Sequence, residues 1–202
     1  MKKFLKAIYI MRYYILVILI VTLMLIGINI WLIPKKYDLS WIYITLYVLL
    51  SVIMVIVVDG VTAAIIHHLP KKLFDPYRKE YRVSKFENNF FKFIRIRKWK
   101  DKIPEIGALT CDFGKGKIEN PNDPQYIYEF LIEMGYAESI HIISCLTGFL
   151  IILILPIKYC LYIGLPIAII NIGFNILSAW IQRYNRPKLL LLYERKMKNK
   201  KI

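Results

Sequence analysis

The side chains best suited to catalysis lie where a helical pattern enters an apolar run. Glu138 and His141 are three residues apart, so a helix places them on one face. A carboxylate one turn from an imidazole fixes the tautomer of the ring and raises its basicity, as a general base requires. The alternative is that both polar residues simply occupy a wet helix end. His141 is therefore a candidate general base, with Glu138 as its orienting partner.

A second helix carries a polar stripe. Its members recur at spacings of four and three residues, which places them on one face: Asn171, Asn175, Ser178, Gln182 and Asn185. Polar groups at membrane depth face the interior of a helix bundle and commonly mark a substrate path. They also serve as hydrogen bonds between helices. Both interpretations stay open.

The stripe ends in the sequence QRYNRPKL at 182–189. Arg183 and Arg186 are expected near the phosphate level of a membrane, and Pro187 is expected to stop the helix. One apolar run leaves this surface and the next returns to it, so a single interfacial pocket is predicted to collect His141, Glu138, Arg183, Tyr184 and Arg186. The basic sequence RKWKDK at 97–102 is expected to cover the same region.

Apolar runs define the elements that must position these residues. Hydrophobic residues make up 57% of the 202, and they are concentrated in long segments. The runs 13–33 and 41–66 are each long enough to cross a bilayer core of about 30 Å. The stretch 141–181 is too long for one crossing, and a turn at Lys158 divides it into two. The sequence therefore predicts an all-α polytopic membrane protein with about four transmembrane helices and additional cytoplasmic interfacial helices.

The distribution of lysine and arginine predicts the orientation. Four basic residues precede the first span, fourteen lie within 67–140 and eight follow the last span, whereas only Lys35, Lys36 and Lys158 fall on the other side. Because cytoplasmic loops carry the excess of positive charge, both termini are expected in the cytoplasm of a cell-membrane protein. The net charge of +15 is assigned to topology and anionic lipids, and no nucleic-acid partner is expected. The oligomeric state is not predicted.

Four segments follow from these patterns. They are an N-terminal membrane hairpin at 1–66, a basic amphipathic cytoplasmic segment at 67–140, a second membrane hairpin at 141–181 and a basic tail at 182–202. Within the second segment, Phe86, Phe90 and Phe93 recur at helical spacing with cations between them, which suits a helix lying in the membrane interface. Gly114 and Gly116 mark a loop, and Asp123-Pro124 is typical of a helix start that leads into the third span.

Other chemistries have weaker support in the sequence. No activating turn surrounds Ser144 or Cys145, so a covalent route through either remains a minor alternative. Adjacent His67 and His68 project about 100° apart on a helix and are not expected to bind a metal. Asp59 is alone in the second span, and it is interpreted either as a proton or substrate contact or as the partner of a lysine.

Three ordered motifs resemble a known family. They are RKWKDKIPE at 97–105, AESIH at 137–141 and NILSAWIQRYNRPKL at 175–189. In order and spacing they are similar to glycosyl-4,4'-diaponeurosporenoate acyltransferases, over roughly residues 74–192. The resemblance implies a membrane enzyme that transfers a fatty acyl chain to a sugar hydroxyl of a glycosylated carotenoid acid, in staphyloxanthin-type carotenoid biosynthesis. It implies no cofactor, and an activated acyl donor such as acyl-CoA or acyl carrier protein as a substrate.

The residues and the resemblance together suggest one mechanism. His141, oriented by Glu138, takes the proton of the acceptor hydroxyl, and Asn175 or Gln182 stabilises the oxyanion. The remaining candidates are assigned to substrate binding, with the cations on the phosphates of the donor: Arg97, Lys98, Trp99, Lys100, Arg183, Tyr184, Asn185 and Arg186. The competing interpretation is a non-enzymatic lipid-binding or assembly factor whose polar stripe only packs helices. A small carrier is less favoured, because no inverted repeat is evident.

Overall fold

A computed structural model describes residues 2–34, 36–37, 39–103 and 118–199. The described residues form helices and connecting segments without a strand, which confirms the all-α prediction. Four helical segments are long and apolar enough to cross a membrane: Arg12–Leu32, Trp41–His67, Pro124–Leu153 and Ile157–Asn199. The predicted loop residues Gly114 and Gly116, and Cys111, lie outside the described residues.

The α-helices are named in chain order. They are α1 (Lys2–Leu32), α2 (Trp41–His67), α3 (Lys85–Phe93), α4 (Ile96–Trp99), α5 (Pro124–Thr147), α6 (Ile157–Tyr159) and α7 (Leu165–Asn199). Short 3₁₀ helices cover Lys71–Phe74, Lys79–Tyr81 and Gly148–Leu153, and a π-helical turn covers Cys160–Gly164.

The surfaces of α1 and α2 are suited to lipid and not to water. Large apolar side chains are more than half exposed along both helices, including Leu23, Ile53 and Ile65. A soluble protein rarely exposes contiguous apolar surface on this scale. Trp31 and Trp41 are 64% and 62% exposed near the two facing ends of these helices, where amphipathic indole rings favour the level of lipid headgroups.

The chain folds as two compact units. The first comprises residues 1–11, 66–139 and 177–202, and the second comprises 12–65 and 140–176. In the first unit, Leu131 and Leu189 belong to one buried cluster, and Phe91 and Ile181 belong to another. The core of the second unit includes Ile44, Val48 and Ile163, none of which is exposed.

Two predicted helix boundaries have different outcomes. The side chain of Asp123 accepts a hydrogen bond from the backbone N–H of Gln125 at 3.0 Å, and α5 begins at Pro124, as expected. The prediction that Pro187 stops the last helix is wrong, because α7 continues through it to Asn199. Proline removes one backbone hydrogen bond from a helix, and burial of Leu189 in the next turn helps to offset that loss.

Helix α3 begins with a capping box. The Ser84 hydroxyl accepts a hydrogen bond from the Glu87 N–H at 3.1 Å, and the Glu87 carboxylate accepts one from the Ser84 N–H at 2.7 Å. These bonds satisfy two backbone donors that the first helical turn leaves without partners. They fix the start of a nine-residue helix whose length alone would not make it stable.

We predict that Ser84→Ala destabilises α3 by about 1 kcal/mol, because the cap is lost while the packed face is unchanged. Hydrogen–deuterium exchange of the α3 amides should therefore be faster in Ser84→Ala. Asn89→Ala, an exposed change in the same helix, is the control and should leave exchange near the wild-type rate. Equal exchange in all three proteins would show that the cap does not hold this helix.

Candidate active site

His141 lies on α5 and is held by a side chain of α7. Its Nδ1 atom lies 2.8 Å from Oδ1 of Asn175, within hydrogen-bond distance. Asn175 is 7% exposed, and His141 is partly buried. Both residues belong to the second unit. The partner of the imidazole at Nδ1 is therefore an amide oxygen contributed by another helix.

The orientation of the Asn175 amide is fixed by its other contacts. Its Nδ2 atom faces three oxygens, namely Oδ2 of Asp59 at 3.1 Å and both Oδ1 and the backbone O of Asn171 at 3.0 and 3.2 Å. Reversing the amide would direct its oxygen at three acceptors, so Nδ2 must be the donor on that side. The oxygen consequently faces His141, and a carbonyl oxygen can only accept. Nδ1 of His141 therefore carries the hydrogen, and the lone pair of the neutral ring is on Nε2.

Asn171 completes this group, which we call the amide network (Asp59, His141, Asn171 and Asn175). The Asn171 amide nitrogen donates to the backbone oxygen of Ser144 at 3.1 Å and lies 3.5 Å from Oδ1 of Asp59. Gly148 provides the space for this amide, because a Cβ atom at position 148 would lie 2.5 Å from the Asn171 nitrogen. The network thus includes residues from α2, α5 and α7 within one unit.

The amide network can support general base catalysis. An imidazole held with hydrogen on Nδ1 presents a basic Nε2, the nitrogen that accepts a proton from a hydroxyl in acyl-transfer enzymes. Because the Asn175 amide nitrogen is engaged by Asp59 and Asn171, this amide serves the imidazole, and the sequence-based role in binding an oxyanion has no support from these contacts. No group of three or more metal-ligating side chains lies together among the described residues.

A second cluster lies in the first unit and is built on arginine. We call it the arginine cluster: Tyr81, Glu87, Glu138, Arg183 and Arg186. The Arg183 guanidinium makes four hydrogen bonds to protein oxygens. It donates to both carboxylates, that of Glu87 and that of Glu138 at 2.6 Å, and to the backbone oxygens of Glu80 at 3.0 Å and Arg82 at 3.2 Å. Arg183 therefore ties α7 to α5 and to the segment before α3.

Arg186 is placed differently from Arg183. It is 1% exposed, and the carbon at the centre of its guanidinium lies 4.0 Å from the centre of the Tyr81 ring. Its Nη2 is 2.9 Å from Oε2 of Glu138, which is close enough for an ion pair. However, none of its three nitrogens makes a hydrogen bond of suitable geometry to the part of the chain that the structure describes. Buried arginines normally use most of their five N–H donors, so this guanidinium retains unused donor capacity.

Glu87 responds electrostatically to Arg183. Burial alone would raise the pKa of Glu87, but hydrogen bonds from Arg183 and from Ser84 outweigh it and hold the pKa below its ordinary value. A carboxylate with a lowered pKa stays ionised at neutral pH and keeps its partner in place. Glu87 thus anchors the capped end of α3 to α7.

The two predicted catalytic residues have partners on other helices. Both carboxylate oxygens of Glu138 face arginines, Oε1 facing Arg183 and Oε2 facing Arg186, whereas Nδ1 of His141 faces Asn175. Glu138 is 2% exposed, as expected for a carboxylate neutralised by two guanidinium groups. The group that orients His141 through Nδ1 is therefore Asn175.

The other predicted binding residues occur in varied surroundings. Arg97 and Lys98 are exposed on α4, whereas Trp99 is partly buried and donates its indole N–H to the backbone oxygen of Ile94 at 2.9 Å. Nζ of Lys100 lies 2.8 Å from the carboxylate of Asp101. On α7, the remaining three are partly buried: Gln182, Tyr184 and Asn185. The Tyr184 ring packs edge-on against Phe91 and lies under the ammonium group of Lys188.

Sequence reasoning missed several contributors. Tyr81 and Glu87 lie in a charged segment where nothing in the local pattern distinguishes them from their neighbours. Asp59 and Asn171 had a usable signal, since a lone carboxylate in an apolar run requires polar partners at membrane depth. The polar stripe on α7 contains such partners, but the spacing alone does not show which of its residues contact Asp59.

These features define a class of protein. It is a polytopic helical membrane protein in which polar and charged side chains of different helices hold one another in place. Comparison with known proteins is more specific. The glycosyl-4,4'-diaponeurosporenoate acyltransferase family matches residues 70–195, which is more than half of the chain. The protein of that name from Staphylococcus haemolyticus (strain JCSC1435) is 29% identical over 132 residues, covering 64% of this chain and 74% of the relative. No solved structure matches.

The chain therefore belongs to the glycosyl-4,4'-diaponeurosporenoate acyltransferase family and is an acyltransferase. The match includes His141, Asn175 and the whole arginine cluster. It begins after Asp59, which lies in α2.

Acid should weaken the contact between α3 and α7. Because the folded-state pKa of Glu87 is lowered, its stabilising contribution is present above the ordinary glutamate pKa and is lost as the pH falls through the folded value. The thermal unfolding midpoint of the detergent-solubilised protein should fall as the pH decreases below about 5. Glu87→Gln should be less stable at neutral pH and should show a shallower decrease. A parallel decrease in wild type and variant would contradict the role of Glu87.

We predict that Glu138→Ala is strongly destabilising, by about 3 kcal/mol or more, because it leaves Arg186 buried without a counter-charge. The double variant Glu138→Ala/Arg186→Met should recover part of the loss, since it removes the unpaired charge but keeps a long apolar side chain beside Tyr81. Unfolding midpoints of the two variants, measured in the same detergent, provide the comparison. A double variant less stable than Glu138→Ala would contradict the ion-pair account.

Proposed function

We propose that this protein transfers a fatty acyl group from an activated thioester to a sugar hydroxyl of a glycosylated carotenoid acid. The name of its relative specifies an acceptor of this kind, a glycosyl-4,4'-diaponeurosporenoate. The structural observation that carries the proposal is the contact between Nδ1 of His141 and Asn175, because it leaves Nε2 as the basic nitrogen. Acyl transfer to a hydroxyl requires such a base.

The reaction follows from this arrangement. The acceptor oxygen attacks the thioester carbonyl carbon while its proton passes to Nε2 of His141. The tetrahedral intermediate then collapses, the carbon–sulfur bond breaks, and the leaving thiolate takes the proton from the imidazolium. The products are an O-acyl sugar and a free thiol, and His141 returns to its starting tautomer. The nearby Asp59 carboxylate stabilises the transient positive charge through Asn175.

The arginine cluster supplies the second part of the proposal. Arg183 has four of its five N–H donors occupied by protein oxygens and serves as a structural tie. Arg186, with unused N–H donors, is the residue suited to hold an oxygen-rich substrate group such as a donor phosphate. Acyl donors such as acyl-CoA or acyl carrier protein are water-soluble, in keeping with the proposed cytoplasmic location of both termini and of the basic segment.

The main test of this function is whether the acylated product forms in a host cell. Lipid extracts from a host that makes the glycosylated carotenoid acid should be compared by mass spectrometry with and without this protein. We expect a new species heavier by one fatty acyl group only when the protein is present. Absence of that species, together with an acylated product of another acceptor in an untargeted comparison, would show that the proposed acceptor is wrong.

We predict that His141→Ala lowers kcat by about 100-fold or more, because the hydroxyl loses its base. His68→Ala is the matched control, since it removes an exposed imidazole at the end of the α2 region and should keep wild-type activity. Acyl transfer by the purified variants in lipid nanodiscs, normalised to folded protein, measures the effect. Full activity of His141→Ala would show that another group acts as the base.

For Arg186 we predict a binding defect. Arg186→Lys keeps the charge but loses the planar pair of donors, and the KM for the acyl donor should rise by about 10-fold. Lys188→Gln removes an exposed cation two residues later and should leave KM nearly unchanged. If both variants raise KM equally, the donor responds to the general positive potential and not to the Arg186 guanidinium.

A further inference from the structure

Asp59 is the only charged residue between Trp41 and Ile66, and it is a partly buried member of the second unit. Burying a carboxylate in an apolar span is costly, so intramembrane carboxylates usually have a specific partner or function. Here the carboxylate faces two amide groups. Oδ2 lies 3.1 Å from the Asn175 nitrogen, and Oδ1 lies 3.5 Å from the Asn171 nitrogen.

The contact with Asn175 connects Asp59 to the imidazole. If Asp59 did not attract the Asn175 nitrogen, fewer acceptors would hold the amide in its present orientation. The reverse orientation would direct an N–H toward His141 Nδ1 and would select the other tautomer, with hydrogen on Nε2. That tautomer has no basic nitrogen at Nε2. The carboxylate therefore acts on the histidine through the intervening amide.

A purely structural interpretation explains less of the geometry. If Asp59 only fastened α2 to α7, one hydrogen bond to either asparagine would be enough. Instead the two asparagines are also bonded to each other, at 3.0 Å, and the Asn171 amide occupies the space left by Gly148. By contrast, Thr62, one turn further along α2, makes a simple interhelical hydroxyl contact with Thr147 at 3.3 Å.

We infer that Asp59 is a positioning residue of the acyltransferase, which acts through Asn175 to hold His141 in its basic tautomer. The inference rests on the proposed function. It assigns a role to the second span, which lies before the residues matched by the family. Among the described residues in or beside the network, the titratable groups with contacts given above are Asp59 on α2 and His141 on α5, together with Cys145 on α5, whereas α7 contributes the two uncharged asparagines.

The inference has a signature in the tautomer of His141. A carboxylate can only accept hydrogen bonds, whereas the side chain of an asparagine can present either an oxygen or an N–H group. Asp59→Asn therefore no longer selects one orientation of the Asn175 amide, and part of the His141 rings should carry the hydrogen on Nε2. The maximum rate should fall, because those rings have no basic Nε2.

The experiment compares Asp59→Asn, Thr62→Val, His141→Ala and wild type in nanodiscs. We expect Asp59→Asn to lower kcat by about 10-fold or more, with an unchanged KM for the acyl donor and a fraction of His141 rings protonated on Nε2 in the ¹⁵N NMR spectrum. Thr62→Val, which loses an interhelical hydrogen bond outside the network, should match wild type in each respect. The tautomer and the KM are read from folded protein, so they separate positioning from stability.

The outcomes distinguish this inference from the proposed function. An Asp59→Asn enzyme with the same kcat and the same His141 tautomer as Thr62→Val would overturn the positioning role, while loss of activity in His141→Ala would still support the base. Full activity in His141→Ala would instead reject the assignment of the base. A lowered kcat and a changed tautomer in Asp59→Asn, combined with loss of activity in His141→Ala, would support both.

Discussion

The orientation of one amide group determines the proposed chemistry of this protein. The nitrogen of Asn175 is held by three oxygens, so its own oxygen must face Nδ1 of His141. No other assignment avoids placing an acceptor against acceptors. A buried polar network of this kind is rigid only when each member has partners. The relative positions of the three helices that contribute these side chains are therefore constrained, because all the hydrogen bonds of the Asn175 amide must form.

The arginine cluster shows how neighbouring residues of one type can differ in function. Arg183 and Arg186 are three residues apart on α7, and both contact Glu138. Arg183 also donates to backbone oxygens from the 3₁₀ region before α3, so four of its five N–H donors have protein partners. Arg186 stacks on Tyr81 and retains its donors. The different contacts of the two arginines, on which the proposed binding role of Arg186 depends, thus come from a segment distant in sequence.

The sequence predicted the helical fold well, because long apolar runs have few alternatives in a membrane. It also singled out His141 and Asn175 as candidates, since polar residues at helical spacing in apolar runs are uncommon. Their pairing could not be predicted, because spacing along one helix favours local partners such as Glu138. The effect of Pro187 was misjudged for a similar reason. Local propensity predicts a helix end, whereas burial of Leu189 in the following turn favours continuation.

The tautomer of His141 is the property on which the account depends, and nitrogen NMR measures it directly. The chain has three histidines, so a His67→Ala/His68→Ala protein with ¹⁵N-labelled imidazole gives signals from His141 alone. At a pH where the ring is neutral, the account predicts a protonated Nδ1 and an unprotonated Nε2. A ring protonated on Nε2 would contradict the orientation assigned to Asn175 and, with it, the proposed role of His141 as the base.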